Sequence, residues 1–477
     1  MHDDGWVARV GCAAAQRPAA GPPRGATPPP RRLVAFRIDL AFLAAALLCG
    51  VRLESAWADT LFRADVARSG VYPGAAPPAI DHVRWAYRTG GRVLSSPVVA
   101  AGTVYAGSAD HFFYALAAET GQPRWKFQTG AGISGSAAVA GRSVYFLSRD
   151  GNAYALDAAS GALRWKFATG GESRMNLAGL YGWAPSREVV PDPWDFFLSS
   201  PLVADGMVYF GSGDHHVYAL DAATGRLRWK FRTGDVVHSS PALAQGLLYV
   251  GSWDGTLYAL QARDGHLAWK FATGIDPTRF MQGLPASPAV SDGVVVIGSR
   301  DNRIYGLDAR TGRRLWAQEN NGSWVIASAA LHEGTAYVTT SDSVKFRALD
   351  LHSGAVRFEL PFLAYSFSSP ALAAGHAYFG SFDGLVYDVD LAARQVHSRF
   401  QVPAARAHPD LLKPDGRLNL AAIYAPLGPD GNGDNTLDAT IVAVDRMLGL
   451  GAVLASPAVA DGAVYVGSAD GSVYALD

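Results

Sequence analysis

Cysteine is almost missing from this chain of 477 residues, and both copies, Cys12 and Cys49, fall before position 59. The remainder therefore has no disulfide, no thiolate metal site and no cysteine nucleophile. Net charge is missing too: 41 basic and 42 acidic residues leave a formal charge of −1, which gives no electrostatic footing for nucleic acid or an anionic surface. The apolar run from Leu40 to Val51 is short for a membrane span, which takes about 20 residues. No glycine-rich phosphate loop, Gly-x-Ser-x-Gly elbow or His-Glu-x-x-His pair is present. Nucleotide, serine-hydrolase and zinc-peptidase chemistry thus have no residues to rest on.

What is present is repetition. The stretch from Ser199 to Gly234, SSPLVADGMVYFGSGDHHVYALDAATGRLRWKFRTG, has near-copies beginning at Ser95, Gly135, Ser239, Ala286, Ala327, Ser368 and Ala455. Eight units at a period of about 40 residues announce an array, a solenoid or a propeller. In the type copy four alternating runs, Ser199 to Ala204, Met207 to Ser212, His216 to Asp221 and Leu227 to Thr233, are separated by Asp205-Gly206, Gly213-Asp214 and Thr224-Gly225. Alternation marks strands and those pairs suit tight turns, so one unit predicts a four-stranded antiparallel sheet.

The last copy stops after its third strand, at Asp477, while an orphan fourth strand, Trp85 to Gly90, stands before the first. Pairing the two closes a ring and hides both sheet edges. The expectation is an all-β fold over residues 80–477: an eight-bladed β-propeller of four-stranded antiparallel blades, closed by the N-terminal strand completing the C-terminal blade. A lead-in, residues 59–79, is expected to lie over one end of the ring. The fourth-strand tryptophan recurs as Trp85, Trp125, Trp165, Trp229, Trp269 and Trp316, becomes Phe358, and is lost at Ser398. A large ring repeated at one position is expected to pack between neighbouring blades.

Residues 1–58 read as a Pro/Arg-rich leader and an export signal. Arg31-Arg32, the apolar run and Ala56-Trp57-Ala58 are basic flank, core and small-residue end, cut before Asp59. The mature chain is then expected in the periplasm or outer cell envelope. An uncleaved signal and a lipid on Cys49 are the two routes by which it would meet a membrane.

The pattern Tyr-Ala-Leu-Asp-Ala-x-Thr-Gly-x-x-x-Trp-x-Phe-x-Thr-Gly, as at Tyr218 to Gly234, resembles the PQQ-type propeller repeat. That repeat occurs in quinoprotein alcohol dehydrogenases and in the propeller lipoprotein of the outer-membrane barrel-assembly machinery, and the resemblance covers residues 80–477. It implies a propeller fold, but it serves enzymes and scaffolds alike. The dehydrogenases carry an adjacent cysteine pair, a calcium held by acidic and amide side chains, and a catalytic aspartate. This chain has no cysteine after Cys49 and no acid and amide set that matches. The expectation is a non-catalytic, monomeric scaffold with no cofactor that binds an envelope protein or a small ligand. The alternative is a PQQ-dependent oxidoreductase with calcium.

Repetition also sorts candidate residues, because a residue present in every blade serves the blade. The turn aspartates Asp110, Asp150, Asp214, Asp254, Asp301, Asp342, Asp383 and Asp470 are read this way, as side chains bonding their own turns. Three inserts break the repeat, at 171–197, 275–285 and 403–453, and strand order puts all three on one face. Loops confined to one face of a rigid scaffold form a candidate binding surface. Its distinctive residues are Trp183, Trp194, Asp195 and Phe196 in the first insert, Arg279 and Phe280 in the second, Trp324 in a link, and Trp253 in a turn. His238 and Phe367 stand at the channel mouth, where other blades place Leu94, Ser134, Leu198, Pro285, Ile326 and Leu454. A lone histidine there makes neither a zinc site nor an acid-base pair. Asp430 to Asp434 looks like the start of a calcium loop, but Ile441 stands where the bidentate glutamate belongs.

Overall fold

Each repeat folds as the polarity of its strands requires. In the type copy Leu202–Ala204, Met207–Ser212, His216–Asp221 and Leu227–Arg232 pair in that order, all antiparallel. The second and third strands are buried on both faces, which is why they read as nearly continuous apolar runs. The outermost exposes most side chains but buries Trp229. The computed structural model describes residues 60–180, 184, 186–276, 281–424 and 436–477. Among them eight such sheets form an eight-bladed β-propeller.

The ring is closed twice over. Val83–Arg88 pairs with Ser472–Leu476, with Trp85 opposite Ala475 and Tyr87 opposite Val473. Around the axis, the N–H of Ser96 donates to Ser136 Oγ at 3.0 Å. The relay passes through Ser200, Ser240, Ser287, Ser328, Ser369 and Ser456. It returns from the Ser456 N–H to Ser96 Oγ at 2.8 Å.

Neighbouring blades are joined by two repeated devices. Trp229 Nε1 donates to the Ala262 carbonyl of the next blade at 2.9 Å, and its ring lies flat on Gly265. A Cβ there would sit 2.6 Å from the indole, and the backbone φ of +75° favours glycine in any case. Where Phe358 replaces tryptophan the facing turn has no glycine, and the Arg394 guanidinium lies 5.5 Å from the Phe358 ring centre. Ser398 faces the eighth blade, whose outer strand comes from residues 83–88, so that blade has no third-to-fourth turn for an indole to cover. Ser398 instead donates to Asp388 and accepts from the Ile80 N–H. The turn aspartates are the second device. Asp254 accepts from the Thr256 N–H, the Tyr258 hydroxyl, and the Gly234 N–H of the preceding blade.

Residues 60–72 run through the centre of the ring. Thr60–Leu61 pairs with Ala138–Ala140, and the carbonyls of Val66, Ala67, Ser69 and Gly70 accept from Leu243, Val290, Leu331 and Leu372. Each of these donors lies three residues beyond the serine ring, on the side away from the inserts. Arg63 and Arg68 are fully buried. Arg68 Nε donates to Pro241 O at 2.8 Å and Nη2 to Ser200 O and Pro201 O; Arg63 donates to Pro370 O and Ala329 O. Burial pushes their pKa values down, to about 10 for Arg63 and about 9 for Arg68.

The third insert carries short helices at Pro403–Ala407 and Leu420–Tyr424 and a longer one at Thr436–Gly449. Their apolar side chains, among them Ile423, Val444, Met447 and Leu448, form one cluster with Trp194, Met281, Trp324 and Phe367. Side chains from all three inserts thus meet at one end of the axis.

Candidate functional site

Two columns of the repeat supply the side chains that vary around the insert-bearing mouth. One is the residue before Ser-Ser-Pro, to which His238 and Phe367 belong. The other is the residue before the turn aspartate: Ala109, Arg149, Gly213, Trp253, Arg300, Ser341, Phe382 and Ala469. Substituting here leaves the sheet intact, so these positions are free to differ.

On the axis the differences build a plug. Trp194, Phe196, Trp324 and Phe367 are all buried. Trp194 meets Phe367 edge-on at 5.9 Å and Trp324 at 6.4 Å, and Phe367 meets Phe382 at 5.0 Å. The space left along the axis is about 40 Å³, lined by the serine ring, Phe62, Phe197 and Phe367.

Trp253 belongs to a second interior group. The Arg300 guanidinium lies between its ring and that of Trp324, 4.9 and 4.0 Å from the centres, and pairs with the buried Asp192 carboxylate. This cation–π sandwich ties the first insert to two blades. Trp183, Arg279 and Phe280 lie outside the described residues, as do the leader with Cys49 and the Asp430 to Asp434 stretch.

His238 and Asp195 come together, with a partner the sequence did not nominate. His238 Nδ1 is 2.7 Å from Asp195 Oδ1, and Nε2 is 2.7 Å from Glu172 Oε1. Burial favours the neutral ring, but the two carboxylates override it and lift the His238 pKa to about 9. Glu172 opens the first insert and Asp195 closes it, so one imidazolium clamps both ends to the fourth blade. Both ring nitrogens are engaged, which leaves neither for a metal. Among the described residues no group of three or more His, Cys, Asp or Glu is placed to hold an ion.

A roomy recess on this face lies to the side of the axis. It is a cleft of about 460 Å³ between the first two blades, the first insert and the helix Thr436–Gly449. Leu94, Ile133, Phe196, Val444 and Leu448 form apolar walls, and Arg92, Arg149 and Arg174 bring charge. Arg92 is paired with Asp445 at 2.6 Å. Arg149 Nη2 donates to Phe196 O at 2.8 Å; burial lowers its pKa, with Asp195 opposing that fall. Sequence reasoning passed over Arg149 and Arg300, although both stand out as charged residues in the column that pointed to Trp253.

The fold and its repeats define a class, the PQQ-type repeat propellers. The profile of the family described as outer membrane protein assembly factor BamB matches residues 79–180, 183–320 and 300–421, and the chain belongs to that family. No curated protein sequence matches it. Among solved structures it is similar to BamB from Moraxella catarrhalis, with a TM-score of 0.56 and 18% identity over 83% of this chain and 97% of that one. It is also similar to a europium-containing methanol dehydrogenase, with a TM-score of 0.57 and 15% identity over 86% and 96%. A quinohemoprotein alcohol dehydrogenase from Comamonas testosteroni gives 0.60 and 14% over 87% and 80%. At these identities the likeness is one of fold, and the chemistry has to be judged from the site. PQQ is a tricyclic tricarboxylate, and small-molecule sites span about 300–1,000 Å³. The axial space of about 40 Å³ does not fit it, and the guanidiniums of Arg63 and Arg68 already donate to main-chain carbonyls.

Proposed function

We propose that this protein is an exported, non-catalytic PQQ-type propeller of the cell envelope that binds a protein or a small ligand through its insert-bearing face. The observation that carries this is the contrast between a filled axis and an open cleft beside it. A propeller enzyme working on its axis needs room there, and here aromatic side chains take that room from one side and the residue 60–72 segment from the other. Kinship with an outer-membrane assembly factor supports an envelope role and a protein partner. The quinoprotein alternative rests on fold alone.

Photo-crosslinking tests which face works. A photoreactive residue in place of Ile441, exposed beside the cleft, is expected to give discrete adducts in cell-envelope extract. One in place of Arg226, in a turn of the opposite face, is expected to give none. Adducts from position 226 and none from 441 would overturn the proposal.

A further inference from the structure

We infer that the cleft between the first two blades and the helix Thr436–Gly449 is a binding site for a small monoanionic organic acid, a carboxylate on an apolar body. The inference deepens the proposal above and rests on the insert-bearing face being the working face. Three observations carry it.

The first is unanswered charge. Arg149 and Arg174 both line the cleft, and among the described residues no carboxylate forms an ion pair with either. Arg149 uses one nitrogen on the carbonyls of Asp195 and Phe196, and the rest of its planar donor set is left for a ligand. Burial lowers the Arg149 pKa, Asp195 opposes that fall, and the neighbouring Arg174 guanidinium adds to it by like-charge repulsion. An anion between them removes that repulsion and accepts charge-assisted hydrogen bonds.

The second is how much charge the site asks for. Three cations, Arg92, Arg149 and Arg174, and one carboxylate, Asp445, line the cleft, and behind them protonated His238 is held between Asp195 and Glu172, an excess of one negative charge that acts on Arg149. One positive charge is left over, which matches a carboxylate and not a dianionic phosphate.

The third is the wall. Leu94, Ile133, Phe196, Val444 and Leu448 surround the arginines with hydrocarbon, so the body that follows the carboxylate is apolar. A volume of about 460 Å³ sits within the range of small-ligand pockets.

Calorimetric titration of the purified protein with octanoate, phenylacetate, hexyl phosphate, octanol, octylamine and inorganic phosphate provides the test. Expected is saturable one-to-one binding of at least one of the two carboxylates, at least tenfold tighter than octanol and hexyl phosphate, with octylamine and inorganic phosphate not binding. R174Q, at an exposed side chain, is expected to weaken the carboxylate at least tenfold with thermal stability unchanged, and R174K to restore part of it. V444W fills the cleft and is expected to abolish binding. Failure of both carboxylates to saturate, equal binding of octanol, tighter binding of hexyl phosphate, or full affinity in R174Q would each overturn the inference. Those outcomes leave crosslinking from position 441 unaffected, whereas crosslinks confined to position 226 overturn the choice of face whatever the acid does.

Discussion

Glycine and tryptophan act as one unit between blades: Trp229 covers Gly265, and neither can change alone. Trp229→Ala removes a buried indole and its bond to Ala262 O, and is expected to cost about 3–5 kcal/mol in denaturant unfolding. A loss below about 1 kcal/mol would mean that the ring is not buried. His238 carries a second residue-scale expectation. Its folded pKa, about 9, lies above the unfolded value of about 6.5, so its stabilisation is complete below about pH 6.5 and is lost as pH rises toward 9. Urea midpoints measured from pH 6.5 to 9.5 should therefore fall more steeply for the native chain than for His238→Gln, and parallel profiles would contradict the carboxylate–imidazolium clamp. His238 and Asp195 were both legible as odd residues, but their union with Glu172 was not. Residue 172 lies 66 positions from His238, and only the path of the insert brings the two together. Arg149 and Arg300 were within reach, since charge in a column otherwise filled by Ala, Gly, Ser and aromatics is visible from the repeat alone.

Among the elements, the blades were the most legible because everything that defines them is local: strand alternation, turn pairs and a 40-residue period. The helical insert was legible only as an interruption. The segment from Thr60 to Tyr72 was the least so, because it joins the blades through main-chain carbonyls that any sequence possesses. Its sequence-specific parts are two arginines and Gly70, where a Cβ would meet Arg63 Nη2 at 2.5 Å and φ is +72°. If this segment fastens the inner strands, Arg68→Ala leaves the carbonyls of Ser200, Pro201 and Pro241 without a donor and should cost about 2–4 kcal/mol. Arg124→Ala, at an exposed arginine bonded to Gly102 O, should stay within about 0.5 kcal/mol. Equal effects of the two substitutions in urea unfolding would show that the segment does not hold the ring.

For the whole molecule, closure was legible from two incomplete copies, and the structure pairs them with Trp85 opposite Ala475. The aromatic residues of the plug stood out singly, but the state of the axis was not legible, because the segment from Thr60 to Tyr72 lies outside the repeat and only the path of the first insert brings Trp194 onto Trp324 and Phe367. In the function proposed above, that state is the ground for preferring a binding propeller to a quinoprotein enzyme on the same scaffold. Titration with PQQ and Ca²⁺, followed by the absorbance of the quinone, tests it most directly. The sealed axis predicts no saturable change and no alcohol-dependent reduction of an acceptor dye. Stoichiometric binding accompanied by dye reduction would contradict it.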